Sequence, residues 1–443
     1  MNYKSLIILI SFMLLMPFRA GAQEIITKGE SLNLERCVEI ALKMHPNIIA
    51  ASSTVNATES RIGQAESNYY PQVNWSSSYS RNKPASSSSG SSSGTSSGAL
   101  GRTNGSFDQY SAGFNVSQTI YDFGKTPTQV KIQKYNFDSS RSDLQTTTDQ
   151  VINNVKQKYY GVLQAKRNRD VSTESVKQFE QHLEQAKGFF TVGTKPKFDV
   201  TKAEVDLGNA RLNLIRAENT LRIGTANLNN AMGVPDAPEY MLEDNLLFRK
   251  YDMTFEDALS KASQNRPDLQ SIVAKKQAAE QAIELARKGY YPALTGNAGY
   301  NWTGDKFPLE HGWNVGATFS FPLFSGYLTK YQVEEAKANL NVLTANEESV
   351  KQTLFLDVQQ AYLNLRDAEE RVPVAELMVK QAEENFELAS GRYTAGVGNP
   401  IEVTDAEVSL ITAKTSYIQA LYDYKVAQAS LEKAMGTDVQ SRQ

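Results

Sequence analysis

The chain alternates between two hydrophobic rhythms. In four short stretches apolar residues recur at every second position. Val73, Trp75, Ser77 and Tyr79 share one face of residues 72–80, and Tyr110, Ala112, Phe114 and Val116 alternate with Ser111, Gly113, Asn115 and Ser117. Leu294, Gly296, Ala298, Tyr300 and Trp302 alternate with Thr295, Asn297, Gly299 and Asn301. Trp313, Val315, Ala317, Phe319 and Phe321 alternate with Asn314, Gly316, Thr318 and Ser320. A period of two predicts four strands of about ten residues, apolar on one face and small-polar on the other. The remaining chain follows a helical rhythm. Leu207, Ala210, Leu214, Ala217, Leu221, Gly224, Leu228 and Ala231 step by three and four in strict alternation, and so do Leu410, Ala413, Tyr417, Ala420, Tyr424, Ala427, Leu431 and Ala434. That spacing predicts a coiled-coil seam in which large and small residues alternate. Further helices are predicted over about 32–69 and 254–290, broken at Pro46 and Pro267 and ended by Pro71 and Pro292. Very long ones are predicted over about 128–190 and 328–393, roughly 100 Å each at 1.5 Å per residue.

These elements occur twice. Residues 34–41 return as 255–262, Pro46 as Pro267 and Tyr69-Tyr70-Pro71 as Tyr290-Tyr291-Pro292, all offset by 221 (46 to 267). Later the offset is 203: Gly193 returns as Gly396, Glu204 as Glu407 and Ala231-Met232-Gly233 as Ala434-Met435-Gly436. A serine-rich insertion of about 18 residues around 86–98 in the first copy explains the change. The predicted organisation is a signal segment at 1–22, a first repeat at 23–233, a linker at 234–252, a second repeat at 253–436 and a tail at 437–443. The signal reading rests on Lys4, the apolar run from 6 to 16 and Ala20-Gly21-Ala22 before Gln23.

Composition removes several function classes. The 443 residues carry a formal charge of −3, so no basic nucleic-acid footprint is present. A mean hydropathy of −0.44 does not fit a polytopic helical membrane protein. The single cysteine, Cys37, has no intramolecular partner and reads as a small core residue, too far from the expected cleavage site to anchor a lipid. His45, His182 and His311 lack metal-ligand spacing. No nucleophile–base pair or phosphate loop stands out, so neither an enzyme nor a cofactor is expected.

Charge also separates two readings of the strands. Charged residues make up 21% of the chain, yet none falls in the four predicted strands, and Trp75, Trp302 and Trp313 all lie on their apolar faces. Lipid outside and a wet lumen inside account for both faces. Tyr69, Tyr70, Tyr121, Phe123, Tyr290, Tyr291 and Phe324 would then form one aromatic girdle. The competing reading is a buried β-sandwich, the head of a periplasmic or surface coiled-coil rod. A membrane barrel needs roughly eight strands or more and tolerates no open edge, so four strands require oligomerisation. Three protomers would supply twelve.

Each long helix meets its return helix at a short turn. Gly193-Thr194-Lys195-Pro196 forms the first; Gly396-Val397-Gly398-Asn399-Pro400 forms the second. Gly193 and Gly396 suit helix C-termini, Asn399 an N-cap and Pro400 the first helical position. Glu402, at N3, fits a capping box.

The duplicated helix–strand–strand–helix order, the Tyr-Tyr-Pro entries to the strands and the turns in which Gly is followed six residues later by Asp199 or Glu402 resemble TolC-like outer-membrane efflux factors over nearly the whole mature chain. The resemblance implies an α+β membrane protein with internal duplication. Each protomer of a homotrimer would give four strands to a 12-stranded outer-membrane β-barrel and long antiparallel helices to a coiled-coil barrel reaching into the periplasm. It implies a passive exit duct for a tripartite efflux or type I secretion system, with an inner-membrane pump and a periplasmic adaptor as partners. The adaptor would dock on Gly193, Thr194, Lys195, Gly396, Val397, Gly398 and Asn399. Glu402 and Asp405 match acidic positions that narrow the tunnel entrance, and six such carboxylates in a trimer would favour cations. The face of Glu402 and Asp405 continues through Ser409, Thr412, Ser416, Gln419 and Asp423 as a lumen lining. Tyr393 and Asp199 match a tyrosine–aspartate link of the closed state. Capping would also explain Glu402, a helix N-terminus Asp199 and tip packing Tyr393. Gly398 stands where the family often carries a latch arginine.

Overall fold

The computed structural model describes residues 26–83 and 106–436. The expected signal segment at 1–22, most of the connection from Arg81 to Ser106 and the tail at 437–443 lie outside the described residues. In chain order the elements are β1 (Ser31–Leu32), α1 (Leu34–Met44), α2 (Pro46–Glu66), β2 (Gln72–Asn82), β3 (Phe107–Tyr121), α3 (Lys125–Thr191) and α4 (Lys197–Met232). They continue as β4 (Met241–Leu242), α5 (Phe255–Asn265), α6 (Pro267–Arg287), β5 (Ala293–Gly304), β6 (Glu310–Ser320), α7 (Leu328–Thr394) and α8 (Pro400–Ala434). The helix–strand–strand–helix order therefore appears twice. α3 and α7 are each 67 residues long. None of the described helices is long and apolar enough to cross a membrane.

The chain forms two compact units, and each draws on both repeats. One unit holds Ala50–Thr147 and Thr254–Gln359. Its centre is an antiparallel sheet in the order β2-β3-β5-β6. The register aligns Trp75, Phe114, Tyr300 and Trp313 in one row across the strands. Val73, Val116, Ala298 and Val315 form another row on the same face, and Trp302 lies there beside Ala112 and His311. Trp75 packs against Phe114 at 4.5 Å between ring centroids and against Trp302 at 5.9 Å. The opposite face carries Asn74, Asn115, Gly299 and Asn314 in one row and Ser76, Gly113, Asn301 and Gly312 in the next. Asparagine amides lie over the glycines here: a Cβ on Gly113 would sit 2.1 Å from Asn301 Oδ1. This contact explains why the polar face uses such small residues.

The strands run further than their apolar alternation predicts. β2 and β3 extend to Asn82 and back to Phe107, so Arg81 and Asp108 become directly opposed, and β6 starts at Glu310. The expectation of uncharged strands is thus corrected at one end of the sheet. Ladder hydrogen bonds are made by the backbone and continue where side chains become polar. Opposite charges support the extension, with Arg81 3.7 Å from Asp108 and Tyr79 donating to the same carboxylate at 2.9 Å. Among the described residues no second sheet covers the apolar face, and Trp313 is 76% exposed. The β-sandwich reading therefore has no partner sheet. At the other strand ends Phe123 stacks on Tyr291 and meets Tyr121. Each copy enters its long helix through two consecutive left-handed residues, Phe123-Gly124 and Gly326-Tyr327.

The other unit holds Thr148–Met253 and Gln360–Lys433 with the chain before Ala50. Its core is built from the predicted seams, with Leu228, Tyr424 and Leu431 fully buried beside Leu32, Ile40, Tyr159 and Leu163. Cys37 is buried there as expected. The segment 234–252 is bound to the helices rather than slack. Tyr159 donates to Glu243 O at 2.6 Å, Arg167 grips Asp244 through two hydrogen bonds of 2.9 Å, and Tyr424 donates to Arg249 O. β1 and β4 pair in parallel across it.

Candidate functional site

The two helix turns form one assembly within the second unit. After α3, Gly193 takes φ +73°, and the N–H of Thr194 returns to Phe189 O at 3.0 Å. After α7, Gly396 takes φ +81°, and the N–H groups of Val397 and Gly398 both donate to Arg392 O. Both are glycine-ended helix stops that satisfy the last carbonyls. Asn399 then caps α8 by accepting from the Ile401 N–H at 3.0 Å. The expected capping box does not close. Among the described residues the Glu402 carboxylate makes no bond back to Asn399 and instead faces Arg392 at 3.9 Å. Both side chains of this pair are largely exposed, and Glu402 remains an acidic residue in the first turn of α8, where the helix N-terminus favours it.

Gly398 has a steric reason. It is buried, and a Cβ there would lie 2.6 Å from Tyr393 N. This backbone path excludes the latch arginine of the resemblance. Its counterpart in the first copy, one offset of 203 earlier, is Lys195. The ammonium of Lys195 donates to Gly398 O at 3.3 Å and lies 5.7 Å from the Tyr393 ring centroid. Of the proposed docking positions, Gly193, Thr194, Gly396, Val397 and Asn399 are exposed, whereas Lys195 is half-buried and Gly398 is buried.

Tyr393 is 1% exposed and packs against His182 and Phe189, with ring centroids 5.0 and 5.6 Å away. Its hydroxyl has no hydrogen-bond partner among the described residues. Burial, and then the negative charge of Asp199, push its phenol above the usual value. Asp199 is itself buried. The tyrosine and aspartate matched from sequence are thus brought into one field without a hydrogen bond between them. Glu402 and Asp405 are exposed, as are Ser409, Thr412, Ser416 and Gln419. The far end of that stripe is tied down: Gln419 donates to Asp423 at 2.7 Å and Arg371 to the same carboxylate at 2.9 Å.

Sequence reasoning missed a cluster just inside the turns. Asp206 on α4 is buried, receives Lys202 Nζ on both oxygens at 2.7 Å and accepts from the Thr404 hydroxyl at 3.1 Å. Glu407 on α8 is 1% exposed, and its Oε1 has no hydrogen-bond partner among the described residues. Burial, then the Asp206 charge, push the Glu407 carboxyl up to about 8. Burial also lowers His182, against the opposing pull of Asp206 and Asp199. The seam gave no decisive signal: Glu407 stands three residues before Leu410, but Glu204 stands likewise before Leu207 and is exposed. None of the described residues group into a metal-binding set.

Comparison with known proteins places this geometry. The sequence profile of the family described as "Outer membrane efflux protein" matches residues 37–234 and 258–437. Outer membrane protein TolC of Salmonella enteritidis is 23% identical over 429 residues, covering 93% of this chain and 83% of that protein. The fold is similar to the crystal structure of the Campylobacter jejuni CmeC outer membrane channel, with a TM-score of 0.77 at 20% identity, over 92% of this chain and 88% of that one. It is also similar to the open state of the Neisseria gonorrhoeae MtrE outer membrane channel, with a TM-score of 0.75 at 18% identity, over 91% and 88% of the respective chains. The chain belongs to the outer membrane efflux protein family, whose members are passive channels of the outer membrane that extend into the periplasm and are not enzymes.

Proposed function

We propose that three copies of this chain close a twelve-stranded outer-membrane barrel and continue as an α-helical periplasmic tunnel. The assembly is the exit duct of a tripartite efflux or type I secretion system, and free energy comes from an inner-membrane pump. One observation carries the reading: a four-stranded sheet whose outer strands β2 and β6 have no further partner among the described residues, an exposed apolar face bearing all three tryptophans, and an opposite face of Asn, Ser, Thr and Gly. Open edges are not tolerated in lipid, so neighbouring protomers pair them. Trp75, Trp302 and Trp313 face lipid; the small-polar face lines the lumen.

The domain reading is a signal segment at 1–22, repeats at 23–233 and 253–436, a linker at 234–252 and a tail at 437–443. The tunnel entrance is narrowed by Glu402 and Asp405, which are exposed and three residues apart on α8. Tyr393 and Asp199 hold the two turns in their packed arrangement. The periplasmic adaptor docks on the exposed turn residues Gly193, Thr194, Gly396, Val397 and Asn399, with Lys195 and Gly398 fixing the backbone beneath them. Cysteines at Thr194 and Val397 provide crosslinking sites for an adaptor. The duct is tested by planar-bilayer recording of the detergent-purified protein. Discrete, cation-preferring channels are expected; a protein that fractionates as soluble and forms no channels would sink the reading.

A further inference from the structure

We propose that Glu407 holds a proton at neutral pH and that losing this proton loosens the packing of α8 on α4, so that the tip responds to alkaline pH. The geometry of the cluster leads to this. Glu407 lies on the inner face of α8 with one carboxyl oxygen lacking a partner among the described residues. Among the described residues the charged group that acts on Glu407 is Asp206 of α4; Asp206 in turn acts with Asp199 and Lys202 on His182 of α3, and Asp199 acts on Tyr393 of α7. The Lys202 ammonium spans both oxygens of Asp206, and the Thr404 hydroxyl donates to Asp206 as well. That partner set is spent on Asp206 and, among the described residues, leaves neither cation nor hydroxyl donor for Glu407 Oε1. A second anion there would be buried, unpaired and beside a like charge, whereas the neutral acid avoids all three penalties.

The sign of the pH dependence follows. The folded-state value for Glu407 lies above its ordinary 4.5, at about 8. Its contribution is complete below 4.5 and is lost as pH rises from there through about 8. His182 acts in the opposite sense: its value is lowered by burial, so its contribution is present above 6.5 and is lost as pH falls. Tyr393 titrates above its usual 10. Between neutrality and that range, loss of tip stability is assigned to Glu407.

The test is hydrogen exchange of the full mature protein in detergent, followed on peptides from residues 197–207 and 399–410 between about pH 6 and pH 9. Wild-type protection, taken relative to Glu407→Gln at each pH to cancel intrinsic exchange, is expected to fall by about tenfold or more as pH rises. Glu204→Gln, altering the outward-facing counterpart, should track wild type. A constant ratio between wild type and Glu407→Gln across the range would overturn the proposal. So would the absence, in wild type at neutral pH, of a protonated-carboxyl infrared band that Glu407→Gln removes. Should Glu407→Gln not fold, Asp206→Asn replaces it: removing the neighbouring charge should move the loss of protection to lower pH, and an unmoved midpoint contradicts the account. Neither measurement reads transport, so failure here leaves the proposed duct standing, and failure of the duct leaves this proton in place.

Discussion

The return helices α4 and α8 carry the same alternating spacing of three and four, yet their surroundings differ. α8 is enclosed. Lys156 of α3 reaches Glu432 at 2.6 Å, Arg371 of α7 reaches Asp423, and Lys414 lies between Glu174 of α3 and Glu383 of α7. α4 buries one strip against Phe179, Leu183 and Ala186 of α3 and leaves Leu212, Ile215 and Ile223 exposed. One matched pair states the contrast: Ile418 is 6% exposed, and Ile215, one offset earlier, is 63% exposed. Duplication copied the rhythm but not the neighbours. If three chains assemble as proposed, the uncovered apolar residues of α4 would be a surface for an adjacent protomer.

The largest effects should come from that pair. Ile418→Lys buries an unpaired ammonium among three helices and should cost more than about 3 kcal/mol, lost as folded protein in thermal melts. Ile215→Lys should keep its helical circular dichroism while losing the trimer. If Ile215→Lys stays trimeric, the exposed strip of α4 is not the protomer contact.

Next come the turn glycines. Gly398→Ala meets the backbone of Tyr393 and should destabilise the tip by about 2–3 kcal/mol. Gly193→Ala has open space and only a positive φ to bear, so about 1 kcal/mol is expected. Equal losses of protection in the two hairpins would show that the second turn is not sterically tighter than the first. A smaller effect is expected at the entrance. Asp405→Ala should lower cation preference in single-channel recordings by a few-fold at most, since its carboxylate is exposed and screened. Unchanged selectivity in Asp405→Ala and in the Glu402/Asp405 double mutant removes the acidic ring. The smallest effect belongs to Glu204→Gln, within about 0.5 kcal/mol, because Glu204 faces solvent.

Much of this architecture was legible because it repeats and has a clear period. The alternation in Trp75–Tyr79 and its three counterparts found the sheet, and the Leu/Ala seams found the return helices. What escaped detection depends on neighbours distant in sequence. Strand ends were misplaced because backbone pairing at Arg81 and Asp108 does not require apolar side chains. Glu402 fits a capping box by spacing alone, but Arg392, at the end of the preceding helix, faces its carboxylate. The spacing treats Glu204 and Glu407 alike, yet in the fold one is exposed and the other buried. Residues 234–252 look like an ordinary connection until Tyr159 and Arg167, some eighty residues earlier, are seen to hold them. Gly398 was visible as a departure from the family; its cause, the nearby Tyr393 backbone, was not.

The claim that four strands per chain are completed by neighbouring chains is tested most directly by the mass of the intact species extracted from the outer membrane in mild detergent. Native mass spectrometry should give three copies of the mature chain, with no stable single-chain species. A protein released as a monomer without detergent would contradict the account.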